Sequence, residues 1–291
     1  MAGSQPRPQP VDANTTLVGV MGYPVRHSLS PLLHNTAFAA LGLNWTSLAF
    51  EVAPGQVAGA LCGVRALGLA GMSVTMPHKD EVAALVDECS PVATALGAVN
   101  CVVNREGTLR GENTDGAGFL ASLARGAGFD PAGKRCLILG AGGAARAVAL
   151  ALAGAGSADV AVLNRTAARA DAVAALAGRV GRVGRVGRLD DDTDVAQADL
   201  VVNATPVGMA GTGAEDEGWL VPPSLLHRGQ VVADLIYAPR PTAWLAAAAD
   251  AGATTVDGLG MLVHQAAAQL ELWTGLGAPV DRMWEAASAL V

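Results

Sequence analysis

The chain has 291 residues, of which 51% are hydrophobic and 15% are charged, and its net charge is −7. This length and composition allow one large or two ordinary domains with a substantial core, and they exclude global disorder. The acidic balance argues against nucleic acid as the main partner. No apolar run reaches the roughly 18 to 20 residues that a membrane helix requires.

The N-terminus and the cysteines predict a cytoplasmic protein. Residues 1–14 are polar and contain prolines but no apolar segment, so we expect a frayed tail and not a signal peptide. The four cysteines are scattered without a CxxC pair, which favours a reducing compartment. Neither they nor the five histidines show a convincing metal-ligand spacing, and we therefore predict no metal site.

Short β-branched segments alternate with Ala- and Leu-rich segments, which predicts an α/β fold with a parallel sheet. In chain order, the first series has predicted strands at 15–22, 46–52 and 71–76. Its helices are predicted at 30–42, near 55–68 and from about Pro77 to Cys89. Ser30 and Pro31 would be the N-cap and the first residue of the first helix, and Pro77 would begin the third.

A second series of strands and helices begins after the Gly-containing stretch NTDGAGF at 113–119, which we interpret as the hinge between two domains. It contains RCLILGAGG, DVAVLNRT, ADLVVNATP and QVVADLIY, and it ends in a helical segment from about 261 to 291 that is broken at TGLGAP. The tract RVGRVGRVGR at 179–188 has a period of three that fits neither helix nor strand. We interpret it as an expanded surface loop, the alternative being a basic patch that binds phosphate.

The stretch LILGAGGAARA predicts a dinucleotide site. Gly140, Gly142 and Ala145 form a G-x-G-x-x-A pattern directly after an apolar strand and before an Ala-rich helix. The glycines permit a tight turn and close approach of the backbone to a pyrophosphate, and the helix N-terminus supplies unpaired N–H groups.

The end of the next strand predicts which dinucleotide binds. An NAD site usually carries a carboxylate about 20 residues further on, but here the sequence has Asn164, Arg165, Thr166 and Arg169. Two guanidinium groups with an amide and a hydroxyl suit a 2′-phosphate, which favours NADP(H) over NAD(H). The alternative is a solvated helix start, where Asn or Thr is merely a cap.

Four further stretches place polar residues beside apolar sequence. In HSLSP, Ser28 and Ser30 would point the same way from an extended backbone and could hold a carboxylate, although Ser30 could instead only cap its helix. Asn100 lies within an apolar run, where an unpaired amide would be costly. The other two stretches contain Asn113, Thr114 and Asp115 at the predicted hinge, and His264 and Gln265 on a late helix.

In their order along the chain, these motifs resemble the shikimate dehydrogenase family over essentially all of residues 16–275. They are GYPVRHSLSPLLHN, SVTMPHK, GAVNCVV, GENTDGAGF, GAGGAARA, NRTAAR, NATPVGM and GLGMLVHQA. The resemblance implies a substrate domain at 15–115, a Rossmann-like NADP-binding domain at 116–258, and a C-terminal helical segment at 259–291 that returns to the substrate domain. It also implies an active site in the cleft between the domains.

The same resemblance implies the reversible NADPH-dependent reduction of 3-dehydroshikimate to shikimate in aromatic amino-acid biosynthesis, by a monomer or homodimer. Lys79 and Asp115 would be the catalytic pair. The substrate would contact Ser28, Ser30, Thr75, Lys79, Asn100, Asp115, Tyr237 and Gln265. The cofactor would contact Gly140, Ala141, Gly142, Gly143, Ala144, Asn164, Arg165, Thr166 and Arg169, with Leu235, Gly258 and Met261 lining the nicotinamide.

The sequence departs from the family at two positions, since Ser73 and Cys101 stand where the family often has Asn and Thr. Serine is shorter than asparagine and cannot span two partners, which puts one substrate hydroxyl contact in doubt. Two alternative functions stay open. One is a quinate/shikimate dehydrogenase that uses NAD, against which Arg165 and Arg169 argue. The other is a catalytically idle ligand-sensing protein on the same scaffold, against which the retained catalytic pair argues.

Overall fold

The computed structural model describes residues 11–179, 184–186, 192–209 and 221–291. These residues form two compact units. The first unit contains residues 11–114 and 265–290, and the second contains residues 115–264. No helix in these described ranges is both long and apolar enough to cross a membrane.

The first unit is built on a mixed six-stranded sheet with the order β2-β1-β3-β5-β6-β4. Its strands are β1 Thr16–Gly22, β2 Trp45–Glu51, β3 Gly71–Val74, β4 Glu88–Cys89, β5 Cys101–Arg105 and β6 Thr108–Glu112. The first three are mutually parallel, whereas β5 runs antiparallel to both β3 and β6. Four helices connect them, namely α1 Ser30–Ala40, α2 Val57–Ala66, α3 Lys79–Leu85 and α4 Pro91–Leu96.

The predicted bounds of the third helix in this unit are wrong at both ends. The helix expected to begin at Pro77 begins at Lys79 with His78 as its N-cap, and it ends at Leu85 instead of Cys89. It ends early because Val86 is extended and the next N–H, that of Asp87, donates to the carbonyl of Leu109 at 3.0 Å. Tertiary pairing with the neighbouring hairpin therefore replaces the last predicted turn.

The second unit contains a six-stranded parallel sheet with the order β12-β11-β10-β7-β8-β9. Its strands are β7 Arg135–Leu139, β8 Asp159–Leu163, β9 Gly184–Val186, β10 Leu200–Asn203, β11 Val231–Asp234 and β12 Thr254–Val256. This is the strand order of a doubly wound dinucleotide-binding fold, in which the connections reverse direction between β7 and β10. The Rossmann-like prediction is confirmed.

The first helix of the second unit begins at Asp115, inside the predicted hinge at 113–119. The helices of this unit are α5 Asp115–Ala127, α6 Gly143–Gly154, α7 Ala167–Gly178, α8 Asp192–Gln197 and α9 Ala243–Asp250. The C-terminal segment forms α10 Gly258–Thr274 and α11 Val280–Ser288, which confirms the predicted break at TGLGAP. Helix α10 starts in the second unit and ends in the first.

The Arg-Val-Gly tract does not form only a loop. Its residues 184–186 are strand β9, which pairs in parallel with β8 through the pairs Gly184–Val160 and Val186–Val162. The loop interpretation is therefore wrong for these three residues, because pairing of backbone groups at an open sheet edge does not require a side-chain period. Residues 180–183 and 187–188 lie outside the described residues.

Candidate active site

Ser28 and Ser30 lie close together, as the sequence suggested, but the reason is different. The hydroxyl oxygens are 3.2 Å apart, and the backbone N–H of Ser30 donates to the Ser28 hydroxyl at 3.3 Å. The residue between them, Leu29, is in helical conformation and is the N-cap of α1, so the backbone is not extended and Ser30 is not the cap. The two hydroxyls form one small polar site at the start of α1.

Thr75 and Lys79 follow the buried strand β3, and both are half-buried. The backbone N–H of Thr75 donates to the carbonyl of Met21 at 2.9 Å, and Lys79 is the first residue of α3. A Cβ at Gly22 would collide with the methyl group of Thr75, so only glycine allows β1 and this turn to come so close. The turn therefore holds the lysine near the end of the sheet.

Asn100 is buried, and both the nitrogen and the oxygen of its amide make hydrogen bonds. Its Nδ2 donates to the Thr114 hydroxyl at 3.0 Å, and its Oδ1 accepts the backbone N–H of Thr114 at 2.8 Å. The Thr114 hydroxyl in turn donates to the backbone carbonyl of Gln265 at 3.0 Å. The structure thus brings Asn100 and Gln265 together through Thr114.

Sequence reasoning missed Gln269, which extends this network one turn along α10. Its Nε2 donates to Oε1 of Gln265 at 2.9 Å and to the carbonyl of Asn100 at 3.1 Å. The i, i+4 spacing of two glutamines on one helix, each beside apolar residues, is the signal that could have found it. Gln269 is completely buried, so its amide can orient the side chain of Gln265.

Ser73 and Cys101 occupy facing positions on β3 and β5. Both side chains are buried, at 4% and 0% exposure. Burial raises the pKa of the Cys101 thiol strongly. This keeps Cys101 a neutral packing residue.

Asp115 and Tyr237 belong to the second unit, whereas the serines, Thr75, Lys79, Asn100 and Gln265 belong to the first. Asp115 is buried and begins helix α5, where a carboxylate is favoured by the helix dipole. Tyr237 follows β11 and is half-buried, and burial raises the pKa of its phenol. The phenol therefore stays protonated and can act as a hydrogen-bond donor at neutral pH.

The Gly-rich turn between β7 and α6 has the geometry that the motif predicts. Gly140 has φ of +106°, and a Cβ there would lie 2.8 Å from Cγ2 of Thr205 and 2.9 Å from the carbonyl oxygen of Ala204. Glycine is therefore required both for its conformation and for the close approach. Gly142 caps α6 with extended backbone, and Gly143 is its first residue.

This turn lines a cavity of about 260 Å³ together with Ala141, Asn164, Arg165, Arg169 and Thr205. A Cβ at Gly142 would meet no atom within 4 Å, so the N-terminus of α6 faces open space. A pyrophosphate fits there because backbone N–H groups and the helix dipole point at the site. Exposed Arg165 and Arg169 supply cations for a further phosphate. These residues fit NADP(H).

The segment after β8 has a helix cap without a capping side chain. Thr166 is the N-cap of α7, but its side chain makes no capping hydrogen bond. The amide Nδ2 of Asn164 donates to the carbonyl of Thr166 at 3.0 Å, which shapes the turn that carries Arg165. The asparagine is therefore a turn residue and not a helix cap.

Leu235, Gly258 and Met261 lie around the end of β11 in the second unit. Leu235 and Met261 pack against the same hydrophobic core as Ala141 of the Gly-rich turn. A Cβ at Gly258 would collide with the carbonyl group of Leu235, so glycine is required for the start of α10 to approach this loop. These contacts place the three residues on one side of the six-stranded sheet of the second unit.

The loop after β10 is a wall of the cavity that sequence reasoning did not assign to the site. Ala204, Thr205, Pro206 and Val207 line the cavity. The signal was present as the stretch NATPVGM, since strand ends in a doubly wound sheet point toward the ligand crevice.

Among the described residues, no three His, Cys, Asp or Glu side chains gather in a group that could hold a metal ion.

Three family models match the chain. The model described as the shikimate dehydrogenase substrate binding domain matches residues 20–102. The model described as shikimate / quinate 5-dehydrogenase matches residues 122–210, and the shikimate 5'-dehydrogenase C-terminal domain matches residues 258–287.

Individual relatives cover nearly the whole chain. The shikimate dehydrogenase (NADP(+)) of Moorella thermoacetica is 51% identical over 277 residues, which are 94% of this chain and 92% of the relative. The structure of shikimate 5-dehydrogenase from Thermus thermophilus in complex with NADP(H) and shikimate is 39% identical, with a TM-score of 0.86, covering 95% of this chain and 100% of that one. A quinate dehydrogenase from Corynebacterium glutamicum in complex with NAD is 35% identical, with a TM-score of 0.88, covering 95% of this chain and 99% of that one.

Proposed function

Because the chain belongs to the shikimate dehydrogenase family, we propose that it catalyses the reversible NADPH-dependent reduction of 3-dehydroshikimate to shikimate, a step toward the aromatic amino acids. The observation that carries the proposal is the cavity of the second unit, which joins the Gly-rich turn of α6 to Arg165 and Arg169. A carboxylate at that strand end would favour NAD, and the sequence between Asn164 and Arg169 has none.

The cofactor would supply hydride to the substrate carbonyl, and the residues of this chain would bind, orient and protonate. The backbone N–H groups at Gly142 and Gly143 would hold the pyrophosphate, and the two arginines would bind the 2′-phosphate. On the substrate side, the hydroxyls of Ser28 and Ser30, already 3.2 Å apart, would both donate to the substrate carboxylate.

Lys79 and Asp115 would act on the carbon–oxygen bond that is reduced. Addition of hydride to a ketone builds negative charge on its oxygen, which a nearby cation stabilises and then protonates. The ammonium group of Lys79 would donate this proton, and the carboxylate of Asp115 would orient both the ammonium and a substrate hydroxyl. Asn100 and Gln265, which are linked through Thr114, would bind the ring hydroxyls.

A second candidate is a dehydrogenase that also accepts quinate or uses NAD. The likeness to the quinate dehydrogenase of Corynebacterium glutamicum, with a TM-score of 0.88, supports it. The arginines that line the cavity favour NADP(H) in this chain. An assay with both substrates decides whether the chain acts on shikimate, on quinate or on both.

We propose a cytoplasmic location and a monomeric or homodimeric state. All four cysteines are free, which is consistent with a reducing compartment. Light scattering of the purified protein measures the oligomeric state directly, and a trimer or larger assembly would contradict the proposal.

The experiment that tests the function uses the purified full-length protein with NADPH and 3-dehydroshikimate. We expect oxidation of NADPH with formation of shikimate, identified by chromatography against the authentic compound. Parallel reactions with NADH and with 3-dehydroquinate distinguish the alternatives. Binding of the substrate without turnover would instead support a ligand-sensing protein.

A further inference from the structure

Asp234 is a buried carboxylate that the proposed reaction does not use. It is the last residue of β11 and is 1% exposed. Its Oδ1 accepts the backbone N–H of Ile236 at 3.1 Å and Nδ2 of Asn203 at 3.1 Å, while its Oδ2 accepts the Thr242 hydroxyl at 2.8 Å. A buried charge is retained only where such donors compensate for its loss of water.

Asn203, the partner of Asp234, shapes one wall of the cofactor cavity. Its Oδ1 accepts both the backbone N–H of Thr205 at 3.0 Å and the Thr205 hydroxyl at 2.7 Å. Its Nδ2 donates to the carbonyl of Val207 at 3.3 Å as well as to the carboxylate. The loop 204–207 is therefore folded around this one amide.

The position of that loop matters to the Gly-rich turn. A Cβ at Gly140 would lie within 3.0 Å of Thr205 and Ala204, so the two backbones are already at their closest approach. The same carboxylate also holds Ile236, between Leu235, which is a proposed nicotinamide contact, and Tyr237. One oxygen of Asp234 thus joins the loop after β10 to the loop after β11.

We propose that Asp234 is a positioning residue that sets the spacing between the two loops, 204–207 and 235–237, on which NADPH binding and hydride transfer depend. The inference rests on the proposed function, because it presumes that the cavity holds the dinucleotide. Asp234 acts through the amide of Asn203 and the backbone of Ile236.

The chain offers a matched control at the opposite end of the same strand. Gln230 immediately precedes β11, is 1% exposed, and its side chain donates to the carbonyls of Val195 and Ala198 and accepts the N–H of His227. Like Asp234 it is a buried polar side chain with several hydrogen bonds, but it lies at the amino edge of the sheet, away from the cavity. Gln230→Ala therefore measures the effect of lost stability alone.

The test measures NADPH affinity by its fluorescence on binding, together with kcat and KM, for Asp234→Ala, Asp234→Asn and Gln230→Ala. We expect Asp234→Ala to raise the Kd and KM for NADPH by about 10-fold or more, because the loops 204–207 and 235–237 then lose the spacing that the dinucleotide requires. Asp234→Asn keeps an oxygen for both Ile236 and Asn203 and should restore the Kd to within about 3-fold of the original protein. Gln230→Ala should lower the melting temperature without changing the Kd.

If Asp234→Ala does not fold, Asn203→Ala replaces it and should raise the Kd for NADPH by a similar factor. The inference is overturned if the Asp234 or Asn203 variants bind NADPH as the unaltered protein does, or if Gln230→Ala weakens binding equally. A failure of the proposed function looks different, because the unaltered protein would then bind no NADPH or would bind it without reducing 3-dehydroshikimate. In the first of these cases the inference falls with it, and in the second the affinity measurements still decide it.

Discussion

The hydroxyl of Thr114 donates a hydrogen bond to the backbone carbonyl of Gln265 at 3.0 Å, across 151 positions of sequence. The same hydroxyl accepts a hydrogen bond from the amide of Asn100 at 3.0 Å. Thr114 therefore fixes α10 to the segment that carries Asn100, within the first unit. Both residues that it joins are proposed to bind the substrate ring.

Removal of this hydroxyl should destabilise the first unit. Thr114→Val keeps the shape of the side chain but leaves the Asn100 amide and the Gln265 carbonyl without this partner. Because both groups are buried, we expect the free energy of unfolding to fall by about 1–3 kcal/mol in urea denaturation. Thr108→Val, on the exposed side of β6, is the control and should change it by less than about 0.5 kcal/mol. Equal effects of the two substitutions would contradict the assigned role.

Lys79 is predicted to be the proton donor of the reaction. Lys79→Ala should lower kcat by about 100-fold or more, with a milder change in KM, because the charge it stabilises develops mainly in the transition state. Steady-state assays of NADPH oxidation measure both constants. Glu81→Ala, on an exposed position of the same helix, is the control and should leave kcat unchanged. Near-normal turnover of Lys79→Ala would remove the lysine from the mechanism.

Arg165 and Arg169 are predicted to select NADP(H). Replacement of either by alanine should raise the KM for NADPH by about 10-fold, because a charge-assisted hydrogen bond to the 2′-phosphate is lost. The KM for NADH should change little, since NADH lacks that phosphate. Arg135→Ala, at the amino end of β7, provides the control for removal of an exposed arginine. An equal rise in KM for both cofactors would show that the arginines do not recognise the 2′-phosphate.

His34 is predicted to make the first unit sensitive to acid. It is completely buried, its ring lies 4.8 Å from that of Trp273, and burial lowers its pKa from 6.5 to about 4. Between these values the unfolded chain binds a proton that the folded chain does not, so stability falls as the pH falls from 6.5 toward 4. The full loss is about 3 kcal/mol.

Urea denaturation at several pH values checks this prediction. His34→Asn should reduce the loss of stability between pH 6.5 and 4 relative to the unaltered chain. His27→Asn removes an exposed histidine and should leave the dependence as it is. If the His34 variant keeps the whole pH dependence, another group is responsible.

The local parts of the fold could be predicted from the sequence. The strand, turn and helix around Gly140 were predictable because glycine has a direct physical reason there, a positive φ and a close approach to Thr205. That Asn100 makes hydrogen bonds was predictable, since a buried amide requires partners. Its actual partner, Thr114, was not predictable from spacing.

Features that depend on pairing between distant segments could not be predicted. The end of α3 is set by the hydrogen bond of Asp87 to Leu109, and strand β9 is set by the open edge of β8. The contact between Asn203 and Asp234 exists because β10 and β11 are neighbours in the sheet, and no local pattern reports that. The motifs NATPVGM and DLIY contain the residues but do not indicate their connection.

The most direct test of the central claim follows the hydride itself. NADPH that carries deuterium at both C4 positions of the nicotinamide is incubated with 3-dehydroshikimate and the unaltered protein, and the product is examined by mass spectrometry. We predict shikimate that is heavier by one deuterium, bound at the former carbonyl carbon. Absence of shikimate, or shikimate without deuterium, would contradict the proposed reaction.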